Sequence, residues 1–183
     1  MSRKNFGSKP LMLPQPVLIV GTYDENGAPN AMNAAWGMTS DYNEITISLS
    51  EHKTTANIEV RKAFTVSMGT ADTVIPCDYV GIVSANKEPD KFRKAGFHAT
   101  KSKFVDAPII DELPMTLECR LKSFFDGILI GEIVNVSADE SVLTDGKIDP
   151  EKLKPIVFDP CNNKYMSLGE TVGNAFKDGY EID

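Results

Sequence analysis

Ser50, Lys53, Thr54 and Thr55 place three hydroxyls and one cation within six residues. They lie at the start of a segment, 54–62, that reads as a short helix, with Thr54 or Thr55 as its cap and Arg61 and Lys62 at its negative end. The first N–H groups of a helix have no internal acceptor, so this cluster suits an anion such as phosphate. Asn57 can add an amide donor. The same hydroxyls also fit a plain N-cap on a solvated loop, because Ser and Thr are ordinary caps. A second cluster surrounds Trp36, the only tryptophan, flanked by Ala34, Ala35 and Gly37. Small neighbours let a flat ring system approach the backbone of a strand. They equally suit a tryptophan buried in the core.

These residues need strands to hold them. Val17 to Tyr23 is β-rich and runs into Asp24-Glu25-Asn26-Gly27, where Asn-Gly signals a two-residue hairpin turn. The return strand spans Ala28 to Met38. Ile45, Ile47 and Leu49 alternate with Thr46, Ser48 and Ser50, as in a half-buried strand. Phe64 to Met68 is a further strand. Asp72 is expected to cap a second helix through Val83, with Pro76 in its first turn, and Asp90 to Ala95 a third, stopped by Gly96. Met115, Leu117, Cys119 and Leu121 alternate with Thr116, Glu118, Arg120 and Lys122, and Gly127 to Ser137 returns after a turn at Phe124 to Asp126. Ser141 to Lys154 reads as a polar surface excursion, followed by short strands at Ile156 to Phe158 and Lys164 to Leu168. Many short strands with few helices predict a mainly β fold: a closed or nearly closed antiparallel β-barrel with helical insertions, or else an open α+β sheet.

Composition narrows the function. The 183 residues carry a formal charge of −7, which disfavours nucleic acid and anionic membrane surfaces as partners. One domain, 1–183, is expected at this length. No apolar run approaches a transmembrane span, and Met1 to Leu13 lacks an apolar signal core, so a cytoplasmic protein is expected. Cys77, Cys119 and Cys161 form no CxxC pair and read as reduced thiols. There is no GxGxxG, Walker A, HExxH or GxSxG motif. His52 and His98 are the only histidines, and neither is expected to be a catalytic base.

Three segments together resemble the FMN-binding, flavin-reductase-like family that includes the flavoredoxins. The first is Pro16-Val17-Leu18-Ile19-Val20-Gly21-Thr22-Tyr23-Asp24 with Gly27 and Pro29-Asn30-Ala31-Met32-Asn33-Ala34-Ala35-Trp36-Gly37-Met38. The second runs from Ser48 through Glu51-His52-Lys53-Thr54-Thr55-Ala56-Asn57 to Ile58. The third joins Asp78-Tyr79-Val80-Gly81-Ile82-Val83-Ser84, Asp90-Lys91-Phe92 and Gly96 to Phe158-Asp159-Pro160 and Tyr165 near the end. Two departures, Asn86-Lys87-Glu88-Pro89 and the short link Phe124 to Gly127, fall where they would alter the flavin's rim.

The resemblance implies an FMN-binding split barrel, a homodimer, and NAD(P)H as electron donor to a flavin, protein or other acceptor. Asn30, Asn33, Ala34, Ala35, Trp36 and Gly37 would line the flavin, with the amides of 35–37 donating to its pyrimidine end. Ser48, Ser50, Lys53, Thr54, Thr55 and Asn57 would receive the phosphate. Ser84 and Lys91 would reach the phosphate or ribityl chain, although Lys91 equally fits a charge on a surface helix face. An electron carrier without nicotinamide activity and a flavin-free relative remain alternatives.

Overall fold

The computed structural model describes residues 2–182. Seven strands form the main sheet: β1 (Leu18–Tyr23), β2 (Pro29–Ala34), β3 (Gly37–Asp41), β4 (Glu44–Ser48), β5 (Ala63–Met68), β6 (Met115–Phe125) and β7 (Ile128–Ala138). Every pairing is antiparallel, in the order β2, β1, β5, β6, β7, β4, β3. The two edge strands, β2 and β3, are consecutive in the chain and joined only by Ala35 and Trp36. A link of that length reaches about 10 Å. The sheet therefore curls until its edges nearly meet, giving a barrel split between β2 and β3. The alternative of an open, uncurled sheet is set aside.

Alternation along the strands separates two cores. Leu18, Val20, Ile45, Ile47, Phe64 and Leu129 point inward, joined by Ile58 of α1 (Lys53–Arg61). Ile19 and Ala31 point outward and are covered by Cys77 and Val80 of α2 (Val74–Ile82) and by Phe92 of α3 (Lys91–Lys94). A short helix, α4 (Pro150–Leu153), follows, and β8 (Ile156–Asp159) pairs with β9 (Lys164–Ser167) and with Gln15–Pro16.

Several expectations change in detail. The return strand from Ala28 to Met38 breaks at Ala35 and Trp36, because the chain there crosses from one sheet edge to the other. The Asn26-Gly27 turn is not a two-residue loop: Asp24 N–H donates to Ala28 O and Gly27 N–H to Asp24 O, and only Gly27 is left-handed, at φ 84°. The Asp24 carboxylate accepts from the Asn26 and Ala28 N–H groups, which fixes this wider turn. The later hairpin is the two-residue one, with Asp126 and Gly127 at φ 49° and 74° and β6 extending to Phe125. Asp72 does not cap α2; it sits inside a 3₁₀ turn, Ala71–Thr73, whose ends the Thr70 and Thr73 hydroxyls tie together. The excursion 141–154 buries Val142 and Leu153. A hairpin of Ala99–Lys101 with Pro108–Ile110 was not expected from the sequence.

Gly131, paired with Ile45, packs against the buried Phe64 ring: a Cβ there would lie 2.9 Å from Phe64 Cε1 and 3.4 Å from Ile45 Cγ2. Gly131→Ala is expected to lower stability by about 1–3 kcal/mol by overpacking. An unchanged urea midpoint would mean that the Phe64 ring gives way freely.

Candidate functional site

The open edge of β2, the start of α1 and the end of α2 meet beside the split. Two adjoining hollows lie there, of about 250 and 370 Å³. They share Met32, Asn33, His52, Gly81 and Ile82 and so form one trough.

The first hollow is built around the N-terminus of α1. The backbone N–H of His52 donates to Thr55 Oγ1 at 2.9 Å, and that hydroxyl donates back to His52 O at 2.8 Å. The N-cap is therefore His52, not Thr54 or Thr55 as expected; Thr55, at the third helical position, closes back on it and does not line the trough. Lys53 and Thr54 do line it. The Lys53 ammonium sits 2.9 Å from Glu25 Oε2, and this bond holds the exposed Glu25 carboxyl below its ordinary pKa. Beneath them, Asn57 Nδ2 donates to Thr22 Oγ1 at 3.0 Å and Asn30 Nδ2 donates to Thr54 Oγ1 at 2.8 Å. Asn57 is thus a buried support rather than a lining residue. Asn30 lines the hollow, and its buried Oδ1 has no hydrogen-bond partner among the described residues. An orphaned buried acceptor in a cavity wall calls for a donor on a bound molecule.

Lys91 forms part of the opposite wall. It is 3% exposed, so the expectation of a charge on a surface helix face does not hold. Its ammonium donates to Val80 O at 2.9 Å and Val83 O at 2.8 Å, the carbonyls that end α2. Burial lowers its pKa to about 8. These two bonds fix the turn that brings Ser84 into the hollow. Gly81 is required by close approach: a Cβ there would come within 2.9 Å of Asn33 Cβ.

The second hollow is lined by Asn33, Ala34, Ala35, Trp36, Ser48 and Ser50 from the expected set. Trp36 is 46% exposed and is not a core residue. Its carbonyl accepts from Ser48 N–H at 2.7 Å, while the amides of Ala35 and Trp36 have no partner among the described residues. Gly37 does not line the hollow. The space beside it is filled by Ile47 and Thr46, 2.9 Å from where a Cβ would stand, so its smallness serves strand packing. Ser50 Oγ lies 3.1 Å from His52 Nε2 at the junction of the hollows. At the far wall Tyr165 OH donates to Asp78 Oδ1 at 2.7 Å, and Asn33 Nδ2 donates to Cys77 O at 3.1 Å. Burial and then the Asp78 bond push the Tyr165 phenol up to about 12. Asp78, Gly81, Ile82 and Tyr165 fall in the third segment of the resemblance without an expected role at the site, and they come together through packing of α2 and β9 against β2.

Of the fourteen expected residues, the trough brings together all except Gly37, Thr55 and Asn57. It combines a helix N-terminus at one end with exposed backbone amides beside an indole at the other. Such a site can take an elongated, partly aromatic anion.

A family model for the Flavin reductase like domain matches residues 11–160. Among solved structures, the chain is similar to flavoredoxin of Desulfovibrio vulgaris (Miyazaki F), at 37% identity and TM-score 0.94, covering 97% of this chain and 100% of that one. It is also similar to flavoredoxin from Methanosarcina acetivorans, at 26% identity and TM-score 0.89, covering 100% of both chains. An FMN-binding domain of a flavin reductases-like enzyme from Shewanella baltica shares the fold at 21% identity and TM-score 0.78, covering 87% of this chain and 89% of that one.

Proposed function

Since the chain belongs to the flavin reductase-like domain family, we propose that it is an FMN-dependent oxidoreductase that works as a homodimer with NAD(P)H as electron donor. The observation that carries this reading is the orphaned Asn30 Oδ1 in a trough that runs from the α1 N-terminus to Trp36. FMN, when bound, supplies the redox chemistry by accepting a hydride and passing the electrons to an acceptor.

The chain's own residues bind and orient. Lys53, Thr54 and the free N–H groups at the start of α1 would hold the phosphate. Asn30 Oδ1 would accept from a ribityl hydroxyl. The unpartnered amides of Ala35 and Trp36 would donate to the pyrimidine end, where negative charge gathers on reduction. Trp36 and Ile82 would keep water from the ring. No side-chain acid or base is required, because the flavin would carry the hydride chemistry.

The test is the visible spectrum before and after incubation with FMN and desalting. Retained flavin bands are expected, with anaerobic bleaching on adding NADH or NADPH. Trp36→Ala and Thr54→Ala should each weaken FMN binding by about tenfold, the worth of one lost contact of about 1.4 kcal/mol. Unchanged affinity in both would overturn the site assignment, and bound flavin that no nicotinamide bleaches would leave an electron carrier.

A further inference from the structure

Residues 168–182, beyond β9, are exposed throughout. They nevertheless carry Val172, Phe176, Tyr180 and Ile182, at 100%, 99%, 87% and 84% exposure. The segment has local order: Asn174 N–H donates to Asp178 Oδ2 at 2.7 Å, and a 3₁₀ turn spans Asp178–Glu181. Two aromatics and two branched aliphatics held in water in and around such a turn have no benefit within one chain.

A receptor for them lies at the foot of the same segment. An apolar groove of about 410 Å³ is walled by Pro14, Met38, Val66, Met115, Val157 and Leu168, with Thr39 as the one polar residue of its lining among the described residues. The segment leading into Pro14 is also exposed and is basic, with Arg3, Lys4 and Lys9 and no acid. The C-terminal segment is acidic, with Glu170, Asp178 and Glu181 against Lys177. Charge and apolar character are therefore complementary between the two ends of the chain.

We propose that residues 169–182 form an exchange arm that seats in the Met38 groove of a second copy of this chain, along that copy's basic N-terminal segment. Each copy gives one arm and takes one, so the contact closes on itself as an isologous pair. Phe176 and Tyr180 alone bury about 300–500 Å² per arm. The receiving surface and the reciprocal arm bring the total to about 1,200–2,000 Å², the size of a stable interface. Met38 and Thr39 of the groove lie on the edge strand β3, which begins one residue after Trp36. The inference rests on the homodimer of the proposed function and not on its flavin.

Two experiments test it, both read without cofactor. Sedimentation of the full chain, of a chain ending at Leu168, and of the full-length Val172→Ser, Phe176→Ser, Tyr180→Ser variant should give a dimer in the first case and monomers in the other two. In a Cys161→Ser background, a tagged Phe176→Cys chain mixed with a Met38→Cys chain should form a disulfide-linked product of twice the chain mass on mild oxidation. A monomeric full chain, a truncated chain that dimerises with unchanged affinity, or the absence of an interchain product would overturn the proposal. In a chain carrying both Phe176→Cys and Met38→Cys, a cross-link that stays within single chains would overturn it too, by placing the arm on its own copy.

Discussion

Between pH 8 and 10.5 the wild-type chain is expected to gain about 2–3 kcal/mol of folding stability relative to the Lys91→Met variant. Lys91 titrates near 8 in the folded chain against 10.5 for an ordinary lysine, because burial penalises its charge. The unfolded chain therefore binds more protons across that window, and stability rises with pH. Below about pH 8 the full cost of the buried ammonium is present; above 10.5 it is gone. The two carbonyl bonds to Val80 and Val83 are what the folded chain receives in return. Tyr165 acts with the opposite sign, since its folded pKa is pushed up to about 12 and its stabilisation is lost as pH rises beyond the ordinary tyrosine range. That contribution is common to both proteins and cancels in the comparison. Urea unfolding at half-unit steps from pH 7.5 to 10.5 reads the difference directly, and parallel curves for the two proteins would mean that the ammonium is solvated.

Lys91 also marks a boundary of what is legible in sequence. A lysine opening a short helix reads as a surface charge, because its partners are backbone carbonyls eight and eleven residues upstream, invisible to any side-chain pattern. Glu118 is similar. Period-two alternation places it opposite Leu117 and Cys119, which suggests solvent, yet it is 1% exposed. Its carboxylate accepts from Ser102 and, at 2.6 and 3.2 Å, from Asn135 Nδ2 and Ser137 Oγ, donors supplied by a loop and a neighbouring strand. The same alternation correctly predicts β4 and β6, because their inner faces meet one apolar core.

Closure of the barrel was harder to read. Ala35 and Trp36 carry no turn signature, since they bridge two sheet edges and not two paired strands. The site's hydroxyls and the small residues near Trp36 stand out because a helix start and a strand impose local chemistry on them. Gly37 misleads for the same reason: a glycine beside an aromatic suggests room for a ligand, whereas Ile47 and Thr46 occupy that room. The wall formed by Gly81, Ile82 and Tyr165 depends on how α2 and β9 pack against β2, and spacing along the chain does not encode that packing.

Asn30→Leu is expected to separate folding from cofactor retention. In the wild type, Asn30 is 5% exposed and its Oδ1 is orphaned, a cost that folding alone does not explain. Replacing it by an apolar residue of similar size removes that cost, while the bond to Thr54 is lost and Thr22 keeps its bond from Asn57. Stability without flavin should therefore stay within about 1 kcal/mol of wild type. FMN affinity should fall by about 5–150-fold, since a ribityl hydroxyl brought to this wall would lose its acceptor at about 1–3 kcal/mol. Fluorescence titration with FMN and urea unfolding of the same flavin-free preparation give the two numbers. Unchanged affinity would remove Asn30 from the cofactor site. A loss of stability as large as the loss of binding would instead make the Asn30, Thr22 and Thr54 cluster part of the fold, and the orphaned oxygen would then need another explanation. The expected split, stability kept and flavin lost, is the pattern of a preorganised ligand contact, because the orphaned acceptor would gain its partner from a molecule bound in the trough.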